Sequence, residues 1–134
     1  ARRVLDKVLV PIIEPEVTIT IHDKAEAERL LLEEILARLD DIGADEQVIL
    51  KLSLPSMANF YAPLIVHEKV LRVVALSGGY TREEACKLLA QNTGMIASFS
   101  RALTEGLTAD QDQAAFDATL EEAIDSIYAA SVAG

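Results

Sequence analysis

A chain of 134 residues, 51% of them hydrophobic, is long enough for one domain with a buried core. Its formal charge of -10 argues against a general nucleic-acid or acidic-membrane binder, because a phosphate backbone demands a basic surface. Any phosphate site must be local, built by a few donors. No apolar run approaches the roughly 20 residues of a membrane span, and no signal peptide is visible. The single cysteine, Cys86, excludes an internal disulfide and fits a reducing cytosol.

Ala1 to Lys7 reads as the last turns of a helix, and the chain opens without Met, so a piece of a longer protein is expected. A first strand is expected from Val8 to Val17, with Val8, Leu9, Val10, Ile12 and Ile13 almost continuously apolar, as in a strand covered on both faces. Asp23, with Glu26 three residues on, predicts a capping box. The helix it opens runs to about Asp41, striped by Leu31, Ile35, Leu39 and Ile42 and stopped by Gly43.

The second strand, Gln47 to Leu54, alternates Val48, Leu50, Leu52 and Leu54 on one face with Gln47, Ile49, Lys51 and Ser53 on the other. A cation in such a run is costly unless it is paired or can lose its proton. A helix is expected from about Ser56 to Val66, kinked or split by Pro63, with Phe60, Leu64 and Ile65 in the core. The third strand is Val70 to Leu76, broken by Ser77-Gly78-Gly79. Thr81 and Glu84 form a second capping box for a helix reaching about Asn92. Met95 to Arg101 is the fourth strand. The last helix covers about Asp112 to Ala130, with Phe116, Leu120, Ala123, Ile124 and Ile127 on one side.

Strands alternating with helices imply an α/β fold with a parallel sheet and right-handed crossovers. Four βα units are half of a (β/α)8 barrel, which takes about 250 residues; a small open sheet with helices on both sides is the other option. Glu14, Glu16, Lys51, Ser53, Ser77 and Ser98 all fall near C-terminal strand ends, where a barrel keeps its active site, and this favours the barrel.

Glu14 and Glu16, two apart on an expected strand, would share a face. With Lys51 they make a proton-transfer set, or equally a buried ion pair that only fixes the fold. Lys51 could hold an anionic ligand, or act as a nucleophile forming a Schiff base, which requires the neutral amine and hence partial desolvation. Ser77-Gly78-Gly79 lets backbone approach a ligand closely, and the following helix would offer free N–H groups to an anion, although a plain tight turn has the same sequence. Arg101, after Ser98-Phe99-Ser100, could clamp a phosphate. These turns follow the last two strands, a common place for barrel phosphate sites. His22 and His67 lack a second ligand at metal spacing and read as surface residues. Cys86, Phe60, Phe99 and Tyr80 read as structural.

Val10-Pro11-Ile12-Ile13-Glu14-Pro15-Glu16, Leu50-Lys51, Ala75-Leu76-Ser77-Gly78-Gly79 and Ala97-Ser98-Phe99-Ser100-Arg101-Ala102-Leu103, in this order and spacing, resemble class I fructose-bisphosphate aldolase in its shorter bacterial form. The resemblance implies the last four βα units of a Schiff-base TIM barrel, the C-terminal half of the enzyme, over residues 1–134. It implies reversible cleavage of fructose 1,6-bisphosphate to glycerone phosphate and glyceraldehyde 3-phosphate, without a metal or other cofactor. Lys51 matches the Schiff-base lysine, Glu14 the general acid/base carboxylate, and Glu16 the carboxylate that orients the lysine. Ser77, Gly78, Gly79, Ser98, Ser100 and Arg101 match or adjoin positions that bind a substrate phosphate. The implied partners are a sugar phosphate, the N-terminal half of the barrel and further copies in a homo-oligomer, with no nucleic acid and no membrane, in the cytoplasm. The family's first four strands, with an aspartate that handles the C4 hydroxyl proton and a further lysine, have no counterpart here. A non-catalytic half-barrel that binds a sugar phosphate or only assembles is the competing expectation. Another Schiff-base barrel, such as a transaldolase, fits the double-glycine turn and Arg101 less well.

Overall fold

The computed structural model describes residues 1–133. In chain order they form α1 (Arg2–Leu5), β1 (Ile12–Ile13), α2 (Lys24–Leu39), β2 (Val48–Ser53), α3 (Ala62–Ile65), β3 (Val70–Leu76), α4 (Arg82–Leu89), β4 (Met95–Ala97), α5 (Arg101–Thr104) and α6 (Gln113–Val132). The four strands make one sheet in the order β1-β2-β3-β4, every neighbouring pair parallel. Parallel neighbours need a crossover between them, and the helices provide it. The order contains no reversal of the kind that marks a doubly wound sheet.

Register explains which side of the sheet is core. Ile13, Leu50, Val73 and Met95 lie side by side across the four strands. They join one apolar cluster with Leu39 of α2, Leu64 of α3, Ala85 and Leu89 of α4 and Ala130 of α6. The helices α2 to α6 therefore contribute to the core on that face of the sheet. Val48, Leu50, Leu52 and Leu54 are all at most 1% exposed, each contributing about 1.5–3 kcal/mol of burial. The opposite face carries Ile49, Lys51 and Ser53, with Val74 and Ile96 in register beside Lys51. No helix among the described residues is long and apolar enough to cross a membrane.

The sequence pattern misplaces several boundaries, each for a physical reason. The expected strand from Val8 to Val17 shrinks to Ile12–Ile13. Val8 sits at a φ of 58°, outside the strand region, and Val8, Leu9 and Val10 are exposed rather than covered. Pro15 lacks the N–H that a ladder needs, so pairing stops before it and Glu14 and Glu16 leave the sheet. Asp23 precedes α2 but makes no side-chain cap, and Glu26 pairs with Arg29 instead. The helix expected from Ser56 to Val66 is reduced to Ala62–Ile65, with Pro63 in its first turn, where its missing N–H costs nothing. The fourth strand ends at Ala97, and Arg101 opens a separate helical turn. In α6, Ala123 and Ala130 face the core, whereas Phe116 and Ile124 do not. The strand at Val70–Leu76 and the Thr81–Glu84 capping box stand as read.

Candidate active site

The C-terminal ends of four parallel strands meet along one edge of the sheet. Glu14 follows β1, Ser77 follows β3, Ser98 follows β4, and Lys51 lies within β2 two residues before its end. A cavity of about 160 Å3 opens there. Glu14, Glu16, Lys51, Leu76, Ser77, Gly78, Ser98, Ser100 and Arg101 line it. Every residue matched to the family's site except Gly79 thus lines one space, whereas Ser53 does not. Gly79 adjoins it in the same turn.

Lys51 Nζ donates to Glu14 Oε2 over 2.8 Å. The lysine side chain is 25% exposed and that of Glu14 52%. The pair is therefore half-buried at the cavity wall rather than sealed in the core. Glu16 lines the same cavity without a hydrogen bond to Lys51 among the described residues. Apolar Val74 lies in register beside the lysine.

The glycine turn takes its shape from backbone freedom. Gly78 and Gly79 have φ of 62° and 104°, a region that L side chains rarely adopt. A Cβ at Gly78 would stand 3.0 Å from Ile19 Cγ2 and 3.3 Å from Leu76 Cδ1. Ser77 beside it is buried. Ser98 donates its N–H to Ala75 O at 2.8 Å, prolonging the β3–β4 ladder into the cavity rim.

The start of α4 narrows one expectation. Two of the three N–H groups in its first turn, those of Arg82 and Glu84, are taken within the chain. Thr81 N–H donates to Glu84 Oε2, Glu84 N–H to Thr81 Oγ1, and Arg82 N–H to Glu105 Oε2 at 2.8 Å. The donors that remain on the cavity are the hydroxyls of Ser77, Ser98 and Ser100 and the Arg101 guanidinium, with the close backbone of Gly78.

Sequence reasoning missed Lys24 and Glu28. Both are buried, at 8% and 1% exposure. Lys24 Nζ donates to Glu28 Oε1, to Leu54 O at 2.8 Å and to Ser56 Oγ at 3.2 Å, so all three of its hydrogens have acceptors. Glu28 also accepts from Ser56 N–H at 3.0 Å. The cluster fastens the chain just beyond β2. Burial and the Glu28 charge push the Tyr61 phenol above its ordinary range. In sequence the pair is an ordinary i,i+4 spacing, the same as the exposed Arg29–Glu33 pair further along the helix.

His67 is partly exposed, its Nδ1 accepting from Lys69 N–H at 3.1 Å, and His22 is exposed. Phe60, Tyr80 and Phe99 all pack in the core cluster, as read. Burial pushes the Cys86 thiol up. No group of three or more His, Cys, Asp or Glu side chains is arranged to hold a metal ion among the described residues.

No family model matches the chain. A curated relative does. The chain is similar to the fructose-bisphosphate aldolase class 1 of Porphyromonas gingivalis, at 52% identity over 131 residues. That alignment covers 98% of this chain and 44% of the relative, so the chain spans less than half the length of the protein it matches. The aldolase named by this relative is the family that the four motifs resemble.

Proposed function

We propose that this chain carries the nucleophile and a phosphate site of a class I fructose-bisphosphate aldolase. The reaction is the reversible cleavage of fructose 1,6-bisphosphate to glycerone phosphate and D-glyceraldehyde 3-phosphate, in glycolysis and gluconeogenesis in the cytoplasm. The observation that carries this reading is the gathering of Lys51, Glu14 and Glu16 with Ser77, Gly78, Ser98, Ser100 and Arg101 around one cavity. The chain would form the last four units of a (β/α)8 barrel. The uninterrupted parallel order β1-β2-β3-β4, with α2 to α6 contributing to the core on one face, supports that placement. The remaining units would cover the open face of the sheet, and the assembled enzyme would be a homo-oligomer.

The chemistry follows from the groups on the cavity wall. The Lys51 amine, having passed a proton to Glu14, attacks the C2 carbonyl of the ketose phosphate. Loss of water leaves a protonated imine on Nζ. The C3–C4 bond then breaks, its electron pair moving toward the imine nitrogen to give an enamine, while the C4 hydroxyl loses its proton and departs as the aldehyde. The group that takes the C4 proton is assigned to the part of the barrel outside this chain. Glu14, 2.8 Å from Nζ, would move protons at the nitrogen and at the enamine carbon. Glu16 would orient the lysine once substrate displaces the resting ion pair. Ser77, Gly78 and Arg101 hold a phosphate, with Gly79, Ser98 and Ser100 beside them, so that the carbonyl meets Lys51 in reactive geometry.

The test is borohydride reduction of the complete polypeptide in the presence of glycerone phosphate, followed by peptide mass spectrometry. An adduct on Lys51 is expected, together with bisphosphate cleavage that Lys51→Ala abolishes. Absence of the adduct would sink the aldolase reading. An adduct without cleavage would favour a half-barrel that binds the sugar phosphate and does not turn it over. The open strand edges and the half-covered face give that second reading its support.

A further inference from the structure

Ser53 lies two residues beyond Lys51 on β2 and is fully buried, yet it does not line the cavity. Its hydroxyl makes two hydrogen bonds to a single residue. Ser53 Oγ accepts from Val17 N–H at 2.9 Å and donates to Val17 C=O at 2.9 Å. Both backbone groups of Val17, which a neighbouring strand would otherwise satisfy, are thus satisfied by one side chain.

The position of this contact matters more than its strength. The β1–β2 ladder ends with Ile13 opposite Leu50. Pro15 follows and has no N–H with which to prolong it. Ser53 picks the chain up again at Val17. Glu14, Pro15 and Glu16 therefore form a short arch fixed to β2 at both ends, by the last ladder pair and by the hydroxyl. Lys51 sits between these two anchors on the same strand, and its Nζ meets Glu14 under the arch. Beyond Val17, Ile19 packs on the Gly78–Gly79 turn, so the same segment also touches the phosphate side of the cavity. Val17 is buried, and its two backbone groups would lose these partners if the hydroxyl were removed.

The geometry points to Ser53 as a positioning residue, a hydroxyl latch that holds the carboxylate arch in register over Lys51. This rests on the aldolase reading for its catalytic consequence, but the latch itself has a readout independent of activity. In the unsubstituted complete polypeptide, the Val17 amide should exchange with solvent deuterium at least ~10-fold more slowly than that of exposed Thr18. In Ser53→Ala this protection should be lost while β3 amides keep theirs.

A displacement of order 1 Å at the reacting groups costs about 100-fold, so kcat in Ser53→Ala should fall about 10- to 100-fold with KM within about threefold. Ser53→Thr, which keeps the hydroxyl, should recover most of the loss. Borohydride trapping on Lys51 should persist in Ser53→Ala, because the nucleophile is intact. Full kcat in Ser53→Ala, or a Val17 amide as labile as Thr18 in the unsubstituted protein, would overturn the latch. The second measurement decides the matter even if the substituted proteins do not fold. Failure of trapping in the unsubstituted protein would instead overturn the aldolase reading and leave the exchange result to judge the latch alone.

Discussion

Replacing Glu28 by Ala should destabilise the protein far more than its place on a helix suggests. Glu28 is 1% exposed, and removing it strips Lys24, itself 8% exposed, of its charge partner while leaving Ser56 N–H without an acceptor. Breaking one half of a buried ion pair costs about 3–5 kcal/mol. Lys24 keeps two neutral acceptors, Leu54 O and Ser56 Oγ, so the lower end applies. The expected loss is about 3 kcal/mol, of which the orphaned Ser56 N–H accounts for about 1.

Lys24→Met should cost a similar amount, since it leaves a carboxylate in the core. The double substitution Lys24→Met/Glu28→Leu removes both charges together. It should cost at least about 1.5 kcal/mol less than the sum of the two single changes, because no lone buried charge remains. Urea unfolding of the complete polypeptide and its three variants, followed by circular dichroism, measures all four corners of this cycle. A loss below about 1 kcal/mol in Glu28→Ala, or single effects that add to within about 0.5 kcal/mol, would refute the reasoning.

Other expectations can be checked alongside. Gly78→Ala forces a side chain into φ of 62° and to within 3.0 Å of Ile19 Cγ2; it should cost about 1–2 kcal/mol in urea unfolding, and Ile19→Ala should relieve the contact but not the backbone strain. Under the proposed aldolase function, Arg101→Ala should raise KM for a sugar bisphosphate about 10- to 100-fold in steady-state assays, as loss of one charge-assisted contact would. Tyr61 has a raised pKa because it is buried beside Glu28, so the neutral phenol stabilises the fold below its unfolded pKa and that stability is lost as pH rises through the folded value. The wild-type protein should therefore weaken in urea above about pH 10, and Tyr61→Phe should weaken less. The Tyr61 hydroxyl has no hydrogen-bond partner among the described residues, so the same variant should be neutral or slightly more stable at neutral pH, by up to about 1 kcal/mol.

Much of this protein is legible one residue at a time. Val48, Leu50, Leu52 and Leu54 alternate, and period-two alternation puts them on one face whatever surrounds them; all four prove buried. The glycines after β3 and the Thr81–Glu84 box announce a turn and a helix start through local chemistry that needs no tertiary partner. Lys51 stands out because a cation in an apolar strand needs an explanation, and it finds one in Glu14. By contrast, Val8, Leu9 and Val10 have the composition of a strand and lie exposed, because composition cannot say whether a partner strand is present to pair with. Phe116 and Ile124 fall on the apolar side of α6, yet its close approach to the core is made by Ala123 and Ala130.

The alternation of strands and helices, the side of β2 that carries Lys51 and the residue types able to hold a phosphate are all written in the chain. Each follows from spacing or from a single side chain's chemistry. Packing settled the rest. It brought Glu14, Lys51, Ser77, Ser98 and Arg101 to one cavity, because parallel strands align their C-terminal ends. It gave Arg82 N–H, in the first turn of α4, an acceptor in Glu105, a residue 23 positions away. It turned Lys24 and Glu28 from a helix-surface spacing into a buried clamp, and a buried serine into the second anchor of the carboxylate arch. Contacts between residues distant in the chain depend on how the elements pack, and no local pattern encodes that packing.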